Sequence, residues 1–243
     1  MKHLINYGYY SIIAVVLIFL VFINASFTDS VVSNVSDTKP LIIIDAGHGG
    51  KDGGAVAPDG TQEQYLNLSI ALKMNDYLIK KGYKTLLIRD DNNSIHDVNA
   101  NTIKEQKVSD IRNRLRISES HKNSLYISVH QKYFTESKYS GTQVFYSPNN
   151  PESEVLASFV QKSVVKSLQP DNTRQIKKCD KSVYLMFKTN AVAILAECGF
   201  LSNPEELEKL KNEDYQQKIA QAICDGIIDY INTKTQEYST GVY

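Results

Sequence analysis

From Leu41 onward, short apolar runs alternate with longer stretches in which apolar side chains recur every three or four positions. The first run, LIIID over 41–45, is short and rich in β-branched residues, which predicts a strand that stops at the glycine-rich Ala46-Gly47-His48-Gly49-Gly50. Residues 62–81 place Leu66, Ile70, Leu72, Met74, Tyr77 and Leu78 near helical spacing, with Gly82 as a natural stop. The same periodicities predict further strands at 83–89, 124–130, 141–147 and 192–197, and helices at 109–121, 152–168 and 215–231. Strands alternating with helices predict a single α/β domain over 41–232, with a mostly parallel central sheet and helices on both faces. Residues 233–243 read as a polar C-terminal tail.

The segment before Leu41 has a different pattern. Residues 11–25, SIIAVVLIFLVFINA, are almost wholly apolar, and no charged residue lies between Lys2 and Asp29. A positive start, an apolar run and a small residue at a cut after Ala25 form a secretory signal over residues 1–28. Left uncut, the run is just long enough for an N-terminal membrane anchor. Residues 29–40, rich in Ser, Val, Asn, Asp and Thr, read as a linker. The expected location is therefore extracytoplasmic, with membrane contact only through the N-terminus.

Composition adds exclusions. The chain has 243 residues, 42% of them hydrophobic, with 27 basic and 27 acidic side chains. No concentration of positive charge of the kind that binds a phosphate backbone is present, so nucleic acid is not an expected partner. The three cysteines, Cys179, Cys198 and Cys224, are far apart and form no CxxC pair. A thiolate metal site is therefore not expected, and the thiols read as packed, with one disulfide open to an exported domain. Any metal must be held by His and carboxylate.

Three apolar strands end in groups able to do chemistry: LIIIDAG runs into His48, SLYISV into His130 and AVAILA into Glu197. In open α/β sheets ligands bind beyond the carboxyl ends of the strands, so parallel neighbours would bring these groups to one rim. The glycines around His48 allow close approach to the backbone. A phosphate cradle is the competing reading, but no GxxxxGK[ST] is present. Glu63, directly after this loop, opens the first long helix. Two histidines and one glutamate with a fourth position left for water make a catalytic zinc set. A second, unligated carboxylate must then take the water's proton, and Glu197 suits that role.

These residues resemble the N-acetylmuramoyl-L-alanine amidases of the amidase 3 type over nearly all of 41–232. DAGHGG with DGGA, then Glu63 followed by Asn67-Leu68, resembles the family's first metal motif, SVH at 128–130 its second, and AECGFLSN at 196–203 its catalytic-glutamate motif. SDIRNRLRIS at 109–118 resembles a segment whose arginine, here Arg114, faces the site. The resemblance implies Zn2+ held by His48, Glu63 and His130, with Glu197 catalytic. The bond cleaved would be the amide between the lactyl group of muramic acid and L-alanine in peptidoglycan. Arg114, Asn67 and Lys132 are candidate substrate contacts; Lys132 stands where family members commonly carry Asn. EQKVSD at 105–110, HQKYF at 130–134 and GTQVFYS at 141–147 are similar to the clostridial spore-cortex, germination-specific branch. That implies removal of stem peptides around the developing forespore, on the way to muramic-δ-lactam. With no wall-binding repeat in the sequence, an envelope protein that activates or localises the enzyme is an expected partner. The alternatives are a vegetative autolysin of the same chemistry, a zinc peptidase on stem peptides that uses Arg114, Arg174 or Lys132 for a terminal carboxylate, and a non-catalytic wall binder.

Overall fold

The computed structural model describes residues 39–241, so the N-terminal address and most of the linker lie outside the described residues. Six strands form one sheet: β1 (Leu41–Ala46), β2 (Thr85–Leu87), β3 (Ser124–Lys132), β4 (Gln143–Tyr146), β5 (Lys177–Lys178) and β6 (Val192–Phe200). Their spatial order is β2-β1-β3-β6-β4-β5. All pairings are parallel except β4 with β6, which is antiparallel.

Period-two alternation sorts the strand side chains onto two faces. Ile42, Ile44, Ile127, Val129, Val144, Ile194 and Ala196 face the larger core. Helices α1 (Glu63–Lys80), α3 (Pro151–Ser167), α5 (Pro204–Lys211) and α6 (Glu213–Thr240) contribute side chains to that core, including Met74, Leu78, Val160, Leu210, Ile223 and Ile227. The opposite face carries Ile43, Tyr126, Ala193 and Leu195. Side chains of α2 (Ile103–Ser120) and the five-residue α4 (Tyr184–Lys188) cover it, among them Ile111, Leu115, Leu185 and Met186. One face is thus thickly sealed and the other thinly covered.

Several elements differ from the sequence pattern. Helix α2 begins at Ile103, six residues before the predicted start, because Thr102 and Glu105 form a reciprocal capping box. The 83–89 strand shortens to three residues. Elements β5, α4 and α5 were not predicted: β5 is two residues long, α4 is one turn and a half, and α5 starts from an Asn203 cap followed by Pro204. The last helix continues to Thr240, so residues 233–240 are helical rather than a tail. None of the described helices is long and apolar enough to cross a membrane. Cys179, Cys198 and Cys224 are buried and free.

Candidate metal centre

The glycine-rich loop leaves β1 with His48 at φ 65°, the one non-glycine residue among those described with positive φ. Such a conformation costs free energy and persists where surrounding contacts over-determine it. Here two buried arginines hold the loop's carbonyls. Arg89 donates to Ala46 O at 2.8 Å and Gly47 O at 3.0 Å. Arg114 donates to Ala46 O at 2.9 Å and His48 O at 2.6 Å. Arg114 also pairs with Asp45 and Asp110, and Asp45 accepts from Ser128 at 2.7 Å. The buried guanidinium keeps the Asp45 carboxyl below the usual range, although burial by itself would raise it.

Glu63 is the first residue of α1 and is 3% exposed. Its two oxygens bridge the histidines: Oε2 lies 3.2 Å from His48 Nε2, and Oε1 lies 2.9 Å from His130 Nδ1. The imidazole rings meet edge to face with centroids 4.9 Å apart. Backbone amides of Ala55 and Gln131 donate to the same carboxylate at 2.9 and 3.0 Å. Burial would raise the Glu63 carboxyl, but hydrogen bonds and charge from His130 and His48 outweigh it and depress its pKa. The other nitrogen of His48 faces Asp52 Oδ2 at 3.0 Å, and Asp52 pairs with Lys107 of α2 at 2.7 Å. Burial lowers the His48 pKa, yet Asp52 and Glu63 prevail and raise it to about 9.

One ligand atom each from His48, Glu63 and His130 lies within 4.8 Å of the others. Donors around a tetrahedral zinc sit about 3.4 Å apart, given zinc–ligand distances of about 2.0–2.1 Å. These three side chains are therefore the ones that would hold a metal ion here. Asp52 behind His48 supplies the carboxylate that orients and strengthens an imidazole ligand. The backbone is shaped to the same end: a Cβ on Gly47 would come within 2.3 Å of the His130 ring.

The β3–β6 register sets Glu197 directly across from His130, both inside strands that run three residues past the predicted ends for Glu197 and two for His130. Glu197 Oε2 is buried without a hydrogen-bond partner. Burial raises the pKa of this carboxyl, against the pull of His130 and Lys132. A buried carboxylate oxygen without a partner is costly, and groups perturbed in this way cluster at functional sites.

The remaining sequence candidates fall around this set. Asn67 is fully buried and donates to Glu63 Oε1 and Gly47 O, both at 3.2 Å. Arg114 is 2% exposed, with its donors directed to the loop carbonyls and to Asp45 and Asp110. Lys132 is half-buried, its ammonium 4.0 Å from the centroid of the Phe145 ring. Burial lowers the Lys132 pKa, partly countered by Glu197. Arg89 and Asp52 were not singled out by sequence. Arg89 ends an apolar strand much as Glu197 does, while Asp52 lies in the same glycine-rich loop as His48. A cavity of about 270 Å³ opens beside His48 and His130, walled by Tyr184, Met186 and Leu195. A second, of about 220 Å³, opens beside Glu197.

Residues 42–229 match the family described as N-acetylmuramoyl-L-alanine amidase. A germination-specific N-acetylmuramoyl-L-alanine amidase of Bacillus subtilis (strain 168) is 33% identical over 194 residues, 80% of this chain and 81% of the relative. Among solved structures, the CwlD amidase from Clostridioides difficile in complex with the GerS lipoprotein superposes with a TM-score of 0.76 at 36% identity. The match covers 80% of this chain and 99% of that one. An N-acetylmuramoyl-L-alanine amidase from Clostridium difficile 630 gives a TM-score of 0.71 at 27% identity, covering 82% and 100%.

Proposed function

This chain belongs to the N-acetylmuramoyl-L-alanine amidase family, and on that premise we propose that it works as a zinc enzyme, with His48, Glu63 and His130 as ligands and Glu197 as general base. The bond cleaved is the amide joining the lactyl carbonyl of muramic acid to L-alanine of the peptidoglycan stem peptide. The observation that carries the reading is the buried, unpartnered Glu197 Oε2 on a residue directly across from His130, one of three convergent side chains that could hold a metal.

A zinc ion held by His48, Glu63 and His130 would supply a Lewis acid for the scissile carbonyl and would acidify a water. Glu197 accepts a proton from the attacking water as its oxygen bonds to the carbonyl carbon. The same carboxyl returns the proton to the alanine nitrogen as the carbon–nitrogen bond breaks, leaving a lactyl carboxylic acid and a free amine, and the acid then gives up its proton to become the carboxylate. A raised pKa suits a group that must both take and give the proton. Arg89, Arg114 and Asn67 act indirectly by fixing the loop and the Glu63 carboxylate.

The germination-specific relative supports a role in the spore cortex, where removal of whole stem peptides leaves muramic acid free for lactam formation. The Lys2 start and the apolar run at 11–25 support export to the envelope, and a membrane anchor if the run is not cut. The solved relative bound to a lipoprotein supports an envelope partner for this chain. Mass spectrometry of peptidoglycan incubated with the zinc-loaded chain tests the activity: stem peptides with a free L-alanine amine should appear beside unsubstituted muramic acid. Glu197→Gln should lower the rate by about 10² or more and keep its zinc. Shortened stem peptides would make the enzyme a peptidase instead, and loss of metal from Glu197→Gln would make that residue a ligand.

A further inference from the structure

The second cavity begins at Glu197 and extends across the thinly covered face of the sheet to the β5 edge. Its floor follows from register. Glu197 and Leu195 alternate onto the same face of β6, and Leu195 is opposite Phe145 of β4, which is opposite Lys177 of β5. Lys132, two residues beyond His130 on β3, lies over the Phe145 ring. The groove is therefore lined by Lys132 and Lys177 beside an aromatic floor, at one end of which stands the proposed base.

Among the described residues no carboxylate comes within ion-pair distance of Lys132 or Lys177. Besides Glu197, the acid lining the cavity is Asp180, whose Oδ1 accepts from both the amide and the hydroxyl of Ser182, at 2.8 and 2.5 Å. Lysines on a sheet edge often serve only to discourage edge-to-edge pairing. That role explains Lys177 alone; it does not explain Lys132, which is half-buried on a central strand and turned toward the same cavity.

We infer that Lys132 and Lys177 form a subsite for a free carboxylate of the stem peptide, on the leaving-amine side of the scissile bond. The inference rests on the amidase reading above. The residue after L-alanine in a stem peptide is joined onward through its side-chain carboxyl, so its α-carboxyl is free. An extended peptide advances about 3.3–3.6 Å per residue, which sets this carboxylate about two residue lengths from the scissile nitrogen. Adjacent strands lie about 4.8 Å apart, so β5 is about 10 Å from β6 and a lysine side chain spans the remainder. The subsite selects stem peptides whose second residue keeps its charge over those in which it is amidated.

Two muropeptides that differ only in that carboxylate or carboxamide test this. The zinc-loaded chain should favour the carboxylate by about ten- to hundredfold in kcat/KM, the discrimination of a charge-assisted hydrogen bond. Lys132→Gln with Lys177→Gln should erase the preference, slowing the carboxylate substrate more than the carboxamide until their kcat/KM values agree within about twofold, while any loss common to both reports the pull of Lys132 on Glu197. Calorimetric titration with the released peptide gives an independent readout: its affinity should fall in the double variant, and that of N-acetylmuramic acid should not. Equal loss on both substrates would assign the lysines to folding or to Glu197, and lysine-dependent binding of N-acetylmuramic acid would assign the groove to the lactyl carboxylate. Either result, or no preference in the unmodified chain, overturns the subsite. Failure to cleave both substrates, with lysine-dependent binding of the peptide intact, would reject the amidase reading and retain the subsite.

Discussion

His48 occupies a left-handed backbone conformation, and its imidazole must still meet Glu63 and Asp52 on opposite edges. The neighbouring Gly47 has no side chain because the His130 ring already fills the space a Cβ would need. Gly47→Ala should therefore push His130 off Glu63 without straining the backbone, since Gly47 itself does not have a positive φ. The expected result is a loss of zinc affinity of about 10- to 100-fold, the size of effect seen when a metal ligand is disoriented. Competition against a zinc chelator measures it, and unchanged affinity would mean that His130 does not need its present seat. His48, His130 and Glu197 were readable from the chain because apolar strands running into polar groups are unusual and have a fixed address in α/β sheets. Arg89 and Asp52 were not, because a charged residue after a strand or in a loop normally means only a solvated surface. Their roles depend on carbonyls and rings brought near by folding.

At the level of elements, the thick side of the fold depends on how closely α6 approaches α3. A Cβ on Gly226 would lie 2.6 Å from Val160 Cα and 3.0 Å from Phe159 O, so the contact is backbone against side-chain-free backbone. Gly226→Ala gains helix propensity of up to about 1 kcal/mol but must part the two helices. Overpacking of this kind costs about 1–3 kcal/mol and the obstructing atoms cannot rotate away, so the variant should be less stable on balance. A urea titration reads the outcome, and a gain in stability would show that the helix pair has room to spare. The principal strands and helices were legible because their periodicities of two and 3.6 persist for several turns or pleats. Helix α2 was started late because its first two turns present Lys104, Glu105 and Lys107 rather than an apolar stripe, and its true signal is the Thr102 and Glu105 box. Two-residue β5 has no periodicity to read; it is a strand only because β4 lies beside it.

At the largest scale, the described residues 39–241 are asymmetric about their sheet, with four helices sealing one face and two thinly covering the other. His48, His130 and Glu197 lie where that thin face meets the carboxyl ends of β1, β3 and β6, beside cavities of about 270 and 220 Å³. A site at the margin of an open face can engage bonds along a polymer, which suits a peptidoglycan strand better than a deep pocket would. A relative 33% identical to this chain is a germination-specific amidase. In the proposed cortex role, stripping stem peptides has to precede lactam closure, because the ring requires the lactyl carboxyl that the amidase frees. A strain that carries Glu197→Gln should therefore form spores that lack muramic-δ-lactam and germinate poorly, and it should match a strain without the protein, since the fold and the metal ligands remain while the base is gone. Muropeptide profiles of purified cortex decide the matter: normal lactam content together with altered vegetative walls or chained cells would place the same chemistry in growth instead of in the spore.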